Sequence, residues 1–222
     1  MTELLRLDVS ARGTDSVSRT VTDTFERTWR ERTPHAEVTT RDLAESAVPH
    51  LPAEVVPRST GQVVETDAAR FQDSLVDELV RADAVVISTP MYNLGIPSVL
   101  KAWIDHVILL GRTLRFHGEP PPTAGTPMTV ITTFGGGYGP GAPREGWDHL
   151  RPYLRTVFEG MLRMDVEFVT VEYTLAATTP GMEDLVEMGA RALRLGHETA
   201  SRRAAGVAAS LATGGLADLA AS

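Results

Sequence analysis

Five short runs of aliphatic and β-branched residues recur along this chain: Leu4–Val9, Ala36–Arg41, Ala84–Ser88, Met128–Thr133 and Val166–Val171. Between and after them lie stretches with helical period: Val17–Arg32, Asp67–Arg81, Pro97–Leu110, Trp147–Leu162 and Pro180–Arg203. Short apolar runs that alternate with amphipathic helices leave few solutions, because each strand is covered on both faces and each crossover is long enough to make neighbours parallel. The spacing therefore predicts an α/β protein with a doubly wound, five-stranded parallel sheet and helices on both faces. Right-handed crossovers favour the flavodoxin-like strand order 2-1-3-4-5. On the Asp67–Arg81 helix, Phe71, Leu75, Leu79 and Val80 are expected on one side.

The connections are uneven. Residues 43–66 read as a long irregular segment, and residues 112–127, with three consecutive prolines, as a hairpin-like excursion; both are expected to wall a pocket. With no repeat and no linker, one domain is expected over 1–203, followed by an Ala/Gly-rich tail, 204–222, expected to fray. The chain lacks cysteine, which excludes disulfide, thiolate-metal and thiol chemistry. A net charge of −8 argues against nucleic acid as a partner. No apolar run approaches the roughly 18 residues of a membrane span. Arg6, Asp8, Arg12, Asp15 and Arg19 interrupt any signal-peptide core, so a cytoplasmic protein is expected.

Ligands of open parallel sheets sit outside the carboxyl ends of the strands, and three loops there carry distinctive residues. After the first strand comes Ser10-Ala11-Arg12-Gly13-Thr14-Asp15-Ser16-Val17-Ser18. Free amides at a helix start attract an anion; Ser10, Ser16 and Ser18 add hydroxyls, and Arg12 or Arg19 is available as a charge. Neither a P-loop nor G-x-G-x-x-G is present, which favours a mononucleotide such as FMN over an NTP or a dinucleotide as the tightly held ligand. Plain helix capping by Asp15 or Ser16 is the competing reading. After the third strand, Met91 and Tyr92 offer a flat apolar surface and Asn93 and the loop amides offer hydrogen bonds, a combination suited to a flavin; Pro97 opens the following helix. The alternative is a core cap made of Met and Tyr. After the fourth strand, Thr133-Phe134-Gly135-Gly136-Gly137-Tyr138 brings glycines whose amides approach a ligand closely, or else form a flexible turn. The six histidines show no metal-ligand spacing; His106 reads as helix surface or interface, and His117 as a residue near the flavin face. No G-x-S-x-G elbow supports a serine hydrolase.

The segment Pro90-Met91-Tyr92-Asn93-Leu94-Gly95-Ile96-Pro97-Ser98-Val99-Leu100-Lys101-Ala102-Trp103-Ile104-Asp105, together with Ser10 and Ser16–Ser18, resembles the FMN-dependent NADH-azoreductases, also described as FMN-dependent NADH:quinone oxidoreductases. The likeness extends to about residue 200. It implies that Ser10, Ser16, Val17 and Ser18 hold the FMN phosphate, that Pro90 and Met91–Leu94 line the ring and ribityl chain, and that Thr133, Phe134, Gly135, Gly136 and Tyr138 close the flavin edge. It implies a homodimer with sites at the interface, NADH or NADPH as reductant, and ping-pong transfer to a quinone, azo or other flat aromatic acceptor. Asn93 and Tyr138 are the candidate catalytic residues. The apolar face Val99, Trp103, Val107 and Leu110 is an expected contribution to dimerisation. The chain departs from the family where Leu94 replaces a usual Phe, Phe134 a polar residue, and Glu119–Gly125 the usual post-hairpin sequence. The competing class is an electron carrier or flavin-binding interaction protein without NAD(P)H turnover.

Overall fold

Alternation along the first strand assigns the two faces of the sheet. Leu4 points to one side, among Val21, Phe25 and Trp29, while Leu5, Leu7 and Val9 point to the other, among Leu75, Leu79, Trp103 and Val107. The structure, a computed structural model, describes residues 2–115 and 118–220, with side chains through 213. In chain order the elements are β1 (Glu3–Asp8), α1 (Val17–Arg32), β2 (Glu37–Asp42), α2 (Asp67–Arg81), β3 (Ala84–Pro90), α3 (Ser98–Val107), β4 (Pro127–Thr133), α4 (Leu150–Arg155), β5 (Asp165–Val171) and α5 (Val186–Ala220). All four ladders are parallel and the order is β2-β1-β3-β4-β5, as the sequence spacing predicts. α1 and α5 cover one face and α2, α3 and α4 the other. Trp29 and Trp103 are the largest fully buried side chains, one on each side; truncating either to alanine would cost about 3–5 kcal/mol.

Several expectations change on contact with the structure. α5 does not stop at Arg203. Ala200, Ala204, Val207 and Ala208 form a small-residue stripe against α1, and alanine is itself the best helix former, so the helix runs on to Ala220, within the segment read as a frayed tail. A Cβ on Gly196 would lie 2.5 Å from Val171 Cγ2, so glycine lets α5 sit directly on β5. Contacts from Thr24 to His197 (2.8 Å) and from Thr28 to Ser201 (2.9 Å) lock α5 to α1. α4 begins after Trp147, which is exposed, because Asp148 Oδ1 accepts the amides of Leu150 and Arg151; the helix continues as a π-helical turn, Thr156–Met161.

On α2, Val80 is exposed rather than sharing the buried side with Leu75 and Leu79. On α3, Trp103 and Val107 are consumed by the protein's own core and offer no apolar face to a second copy. His106 is fully buried, not on the surface: its Nε2–H donates to Pro49 O at 3.0 Å and its ring meets Phe71 edge-on. Burial lowers its pKa, against the hydrogen bond to Pro49. The 43–66 connection is packed rather than free. Leu43, Val48 and Val55 are buried, and Arg58 ties the 3₁₀ segment Ala53–Thr60 to Asp73 of α2 at 2.6 Å. The 112–127 excursion is fastened to α2 through Arg112–Asp73 (2.7 Å) and to Leu162 O through Thr123 (2.8 Å); His117 lies outside the described residues.

Candidate functional site

Parallel strands gather their carboxyl ends on one edge, and the three loops singled out in the sequence meet there. The loop after β1 makes a 3₁₀ turn, Gly13–Asp15, and enters α1 through Ser16, whose Oγ accepts the Arg19 amide at 3.4 Å. Ser16, not Asp15, is therefore the cap. Behind it lies a buried hydroxyl chain: Ser16 Oγ to Ser18 Oγ at 3.0 Å, and Ser88 Oγ donating to Ser18 Oγ at 3.0 Å. Ser10 is buried as well, and its Oγ accepts the Arg12 amide at 3.3 Å. Among the described residues, the amides of Val17 and Ser18 donate to no protein acceptor. Unpaired first-turn amides, the positive end of the helix dipole and neighbouring hydroxyls are groups that could hold an anion.

The cationic partner for this site is not Arg19. Its guanidinium is committed to the Asp42 carboxylate, with one contact at 2.9 Å, and to Ser10 O, also at 2.9 Å. The hydrogen bond to Asp42 raises the Arg19 pKa, with burial opposing. Burial pushes Asp42 upward, but Arg19 and the amides of Ala44 and Glu45 outweigh it and hold its carboxyl below the usual range. Arg12 remains as an exposed basic side chain on the loop.

The loop after β3 is a tight two-residue turn. Tyr92 and Gly95 exchange both backbone hydrogen bonds at 3.0 Å, with Asn93 (φ 47°) and Leu94 (φ 71°) between them in left-handed conformation. Asn tolerates that geometry and Leu is strained by it. The turn thrusts Tyr92, Asn93 and Leu94 toward solvent, Tyr92 being 36% exposed. Pro90 is the last ladder residue of β3, opposite Thr133, and the Met91 amide donates to Thr133 O at 3.0 Å, so this loop is stitched to the end of β4. Ala11 N–H donates to Tyr92 Oη at 3.3 Å, which joins it to the first loop as well. Pro97 stands at the N-cap of α3, just outside the helix.

The loop after β4 is built differently. Phe134 is fully buried, with its amide on Val171 O, its carbonyl accepting from Thr174, its ring edge-on to Tyr138 and Arg151 lying 5.2 Å above it. Its side chain is packed inside the protein beneath Tyr138 and Arg151. Tyr138 is 8% exposed; its amide donates to Glu172 Oε1 at 2.8 Å and its hydroxyl accepts from Arg144 at 3.2 Å. Side chains of the segment after β5 lie over the glycines. A Cβ on Gly135 would lie 2.6 Å from Leu175 Cδ1, and one on Gly137 would lie 2.2 Å from Tyr173 Oη. None of Gly135, Gly136 and Gly137 has positive φ. Tyr173, itself left-handed at φ 59°, and Leu175 donate their amides to Gly136 O and Gly135 O, each at 3.3 Å. This clamp leaves the Gly135 and Gly136 amides without a protein acceptor among the described residues. Ser10, Ser16, Val17, Ser18, Met91–Leu94, Gly135 and Gly136 thus belong to one edge, with an anion pole at α1 and amide donors at the β4 loop.

Sequence reasoning missed Ser88, Glu172 and Tyr173. Ser88 was signalled by a hydroxyl ending an otherwise apolar strand. Tyr173 gave no signal, since an aromatic residue after Val171 reads as more strand.

The chain matches the family model described as flavodoxin-like fold over residues 2–194. An FMN-dependent NADH:quinone oxidoreductase of Streptomyces coelicolor is 41% identical over 213 residues, covering 92% of this chain and 94% of that protein. The chain belongs to this oxidoreductase family. A second member, from Parafrankia sp., is 39% identical over 210 residues, covering 92% of this chain and 100% of its own. Among solved structures, the azoreductase of Bacillus anthracis strain Sterne superposes with a TM-score of 0.78 at 22% identity, over 92% of this chain and 99% of that one. An FMN-dependent NADH-azoreductase from Bacillus anthracis strain Ames Ancestor, in complex with FMN, superposes at 0.74 with 23% identity, over 91% and 100%. At these identities the family's fold is what the solved structures share with this chain. Among the described residues no cluster of His, Asp and Glu could hold a metal ion, and no helix is long and apolar enough to cross a membrane.

Proposed function

We propose that this chain is an FMN-dependent oxidoreductase that takes reducing equivalents from NADH and passes them to quinones or azo compounds. The observation that carries the reading is the pairing of an anion pole with an exposed aromatic turn: unpaired Val17 and Ser18 amides over buried Ser10, Ser16 and Ser18, facing the Tyr92–Leu94 turn. FMN fits that donor set. The amides and hydroxyls of the β1 loop would hold its phosphate, Met91–Leu94 its ring, and the Gly135 and Gly136 amides its polar edge. Bound there, FMN supplies the two-electron redox chemistry.

The chain's own atoms do the rest. Gly135 and Gly136 amides, held by the Tyr173–Leu175 clamp, stabilise negative charge at the ring edge without reorganising. Asn93, exposed on its turn, orients a flat acceptor by hydrogen bonding. Tyr138 positions the β4 loop through its amide on Glu172 and its hydroxyl beside Arg144. Thr133 supports the site through its carbonyl on Met91.

A homodimer and a cytoplasmic location belong to the same proposal. The face offered to a second copy is not the buried apolar side of α3.

The test is an anaerobic absorbance titration of the FMN-loaded protein with NADH and then a simple quinone. Bleaching followed by recovery supports the reading. Bound flavin that neither NADH nor NADPH bleaches would leave an electron carrier.

A further inference from the structure

Arg19 and Tyr92 grip opposite sides of one peptide plane. The Ser10 carbonyl accepts from Arg19 Nη2 at 2.9 Å, and the Ala11 N–H of the same peptide unit donates to Tyr92 Oη at 3.3 Å. A peptide is rigid and trans, so its C=O and N–H point in opposite directions, and fixing one fixes the other. Arg19 is in turn immobilised by Asp42 at the end of β2, whose Oδ1 also accepts the amides of Ala44 and Glu45 at 2.9 and 3.2 Å. The Asp42 carboxylate neutralises the guanidinium, which leaves little charge for an anion in the adjoining loop.

We infer that Arg19 is a positioning residue for the flavin ring rather than a phosphate ligand: anchored by Asp42, it sets the Ser10–Ala11 peptide, and that peptide sets the Tyr92 ring. The inference rests on the FMN reading above. It assigns to a basic residue in the first turn of α1, beside the phosphate loop, an effect on the ring contact at Tyr92. A bidentate guanidinium spans Asp42 and Ser10 O together, whereas a lysine ammonium is a single point charge that does not reproduce the fork.

The experiment compares FMN with riboflavin, which lacks the phosphate, by fluorescence quenching on the wild type, Arg19→Gln, Arg19→Lys, Tyr92→Phe and the Arg19→Gln/Tyr92→Phe double variant. Arg19→Gln should weaken riboflavin by about tenfold for one lost charge-assisted contact, and FMN by at least as much because Ser10 also belongs to the phosphate loop. Arg19→Lys should fail to restore either. Tyr92→Phe removes the hydroxyl through which the peptide acts, so Arg19→Gln should lose most of its effect in that background. Weakening of FMN alone, with rescue by lysine, would overturn the inference and make Arg19 a phosphate ligand. Weakening of both flavins that simply adds to Tyr92→Phe would overturn it too, as the mark of general destabilisation. A wild type that binds neither flavin overturns the FMN reading itself, and is told apart because no variant is needed to see it.

Discussion

The loop after β1 and the loop after β4 both present unpaired amides at the same edge of the sheet, yet they achieve it by opposite means. The β1 loop is built around a helix start: Ser16 caps α1, the Ser18 hydroxyl lies behind it and is joined by Ser88 from β3, and the amides of Val17 and Ser18 are unpaired because a helix start always leaves them so. The β4 loop is held from outside. Its carbonyls are bound by the amides of Tyr173 and Leu175, its glycines lie beneath those side chains, and Glu172 holds its far end. A helix start and its hydroxyls make the first site, whereas carbonyl contacts from a neighbouring segment make the second.

If that contrast is right, changes inside the β1 loop should act on ligand and changes at the β4 loop should act through packing. The largest effect is expected from Ser16→Ala/Ser18→Ala. FMN affinity should fall about 10- to 100-fold from the lost hydroxyls, riboflavin affinity should hardly move, and the missing cap should cost about 1 kcal/mol of stability. Equal loss of both flavins would break the distinction. Next comes Gly137→Ala, where the new methyl collides with Tyr173. Overpacking of this kind costs about 1–3 kcal/mol, read as a lower denaturant midpoint, and Tyr173→Ala in the same chain should recover most of it. If the double variant stays as unstable as the single, the clamp is not what dictates glycine.

A smaller change, of opposite sign, is expected at the turn between the two loops. Leu94→Gly relieves a left-handed leucine and should stabilise the protein by about 1 kcal/mol, seen as a raised melting temperature; a fall would mean that the Leu94 side chain contributes more than its backbone costs. The smallest effect belongs to His106, buried on α3 away from both loops. Its folded pKa lies below the ordinary 6.5. The unfolded chain therefore takes up the proton first, and the stability present above that value is lost as pH falls through the folded pKa. Wild type should lose stability on acidification from about pH 7 more steeply than His106→Gln, with flavin affinity at neutral pH unchanged. Parallel curves would remove His106 from the acid response.

Strand order, the span of α1 and α2 and the β1 and β3 loops were legible in the sequence because they rest on local signals: apolar runs, helical period, a serine cap and an Asn in a tight turn. What escaped was set by contacts distant in sequence. α5 runs past Arg203 because Ala200, Ala204, Val207 and Ala208 pair with α1, and composition alone does not distinguish that stripe from a flexible tail. Phe134 turns inward because Val171, Thr174 and Arg151 receive it. Arg19 looks available for an anion until Asp42, 23 residues away, is seen to hold it. Trp103 and Val107 read as a dimer face because an amphipathic pattern shows which side is apolar and not what covers it.

The central claim is that the β1 loop is a phosphate site built from its own amides and hydroxyls. Its most direct test is the ratio of FMN to riboflavin affinity in the wild-type protein. Several hydrogen bonds to a charged phosphate should make FMN bind at least about 100-fold more tightly. Equal affinities would contradict the account, because the ring would then bind without help from Ser10, Ser16, Val17 or Ser18.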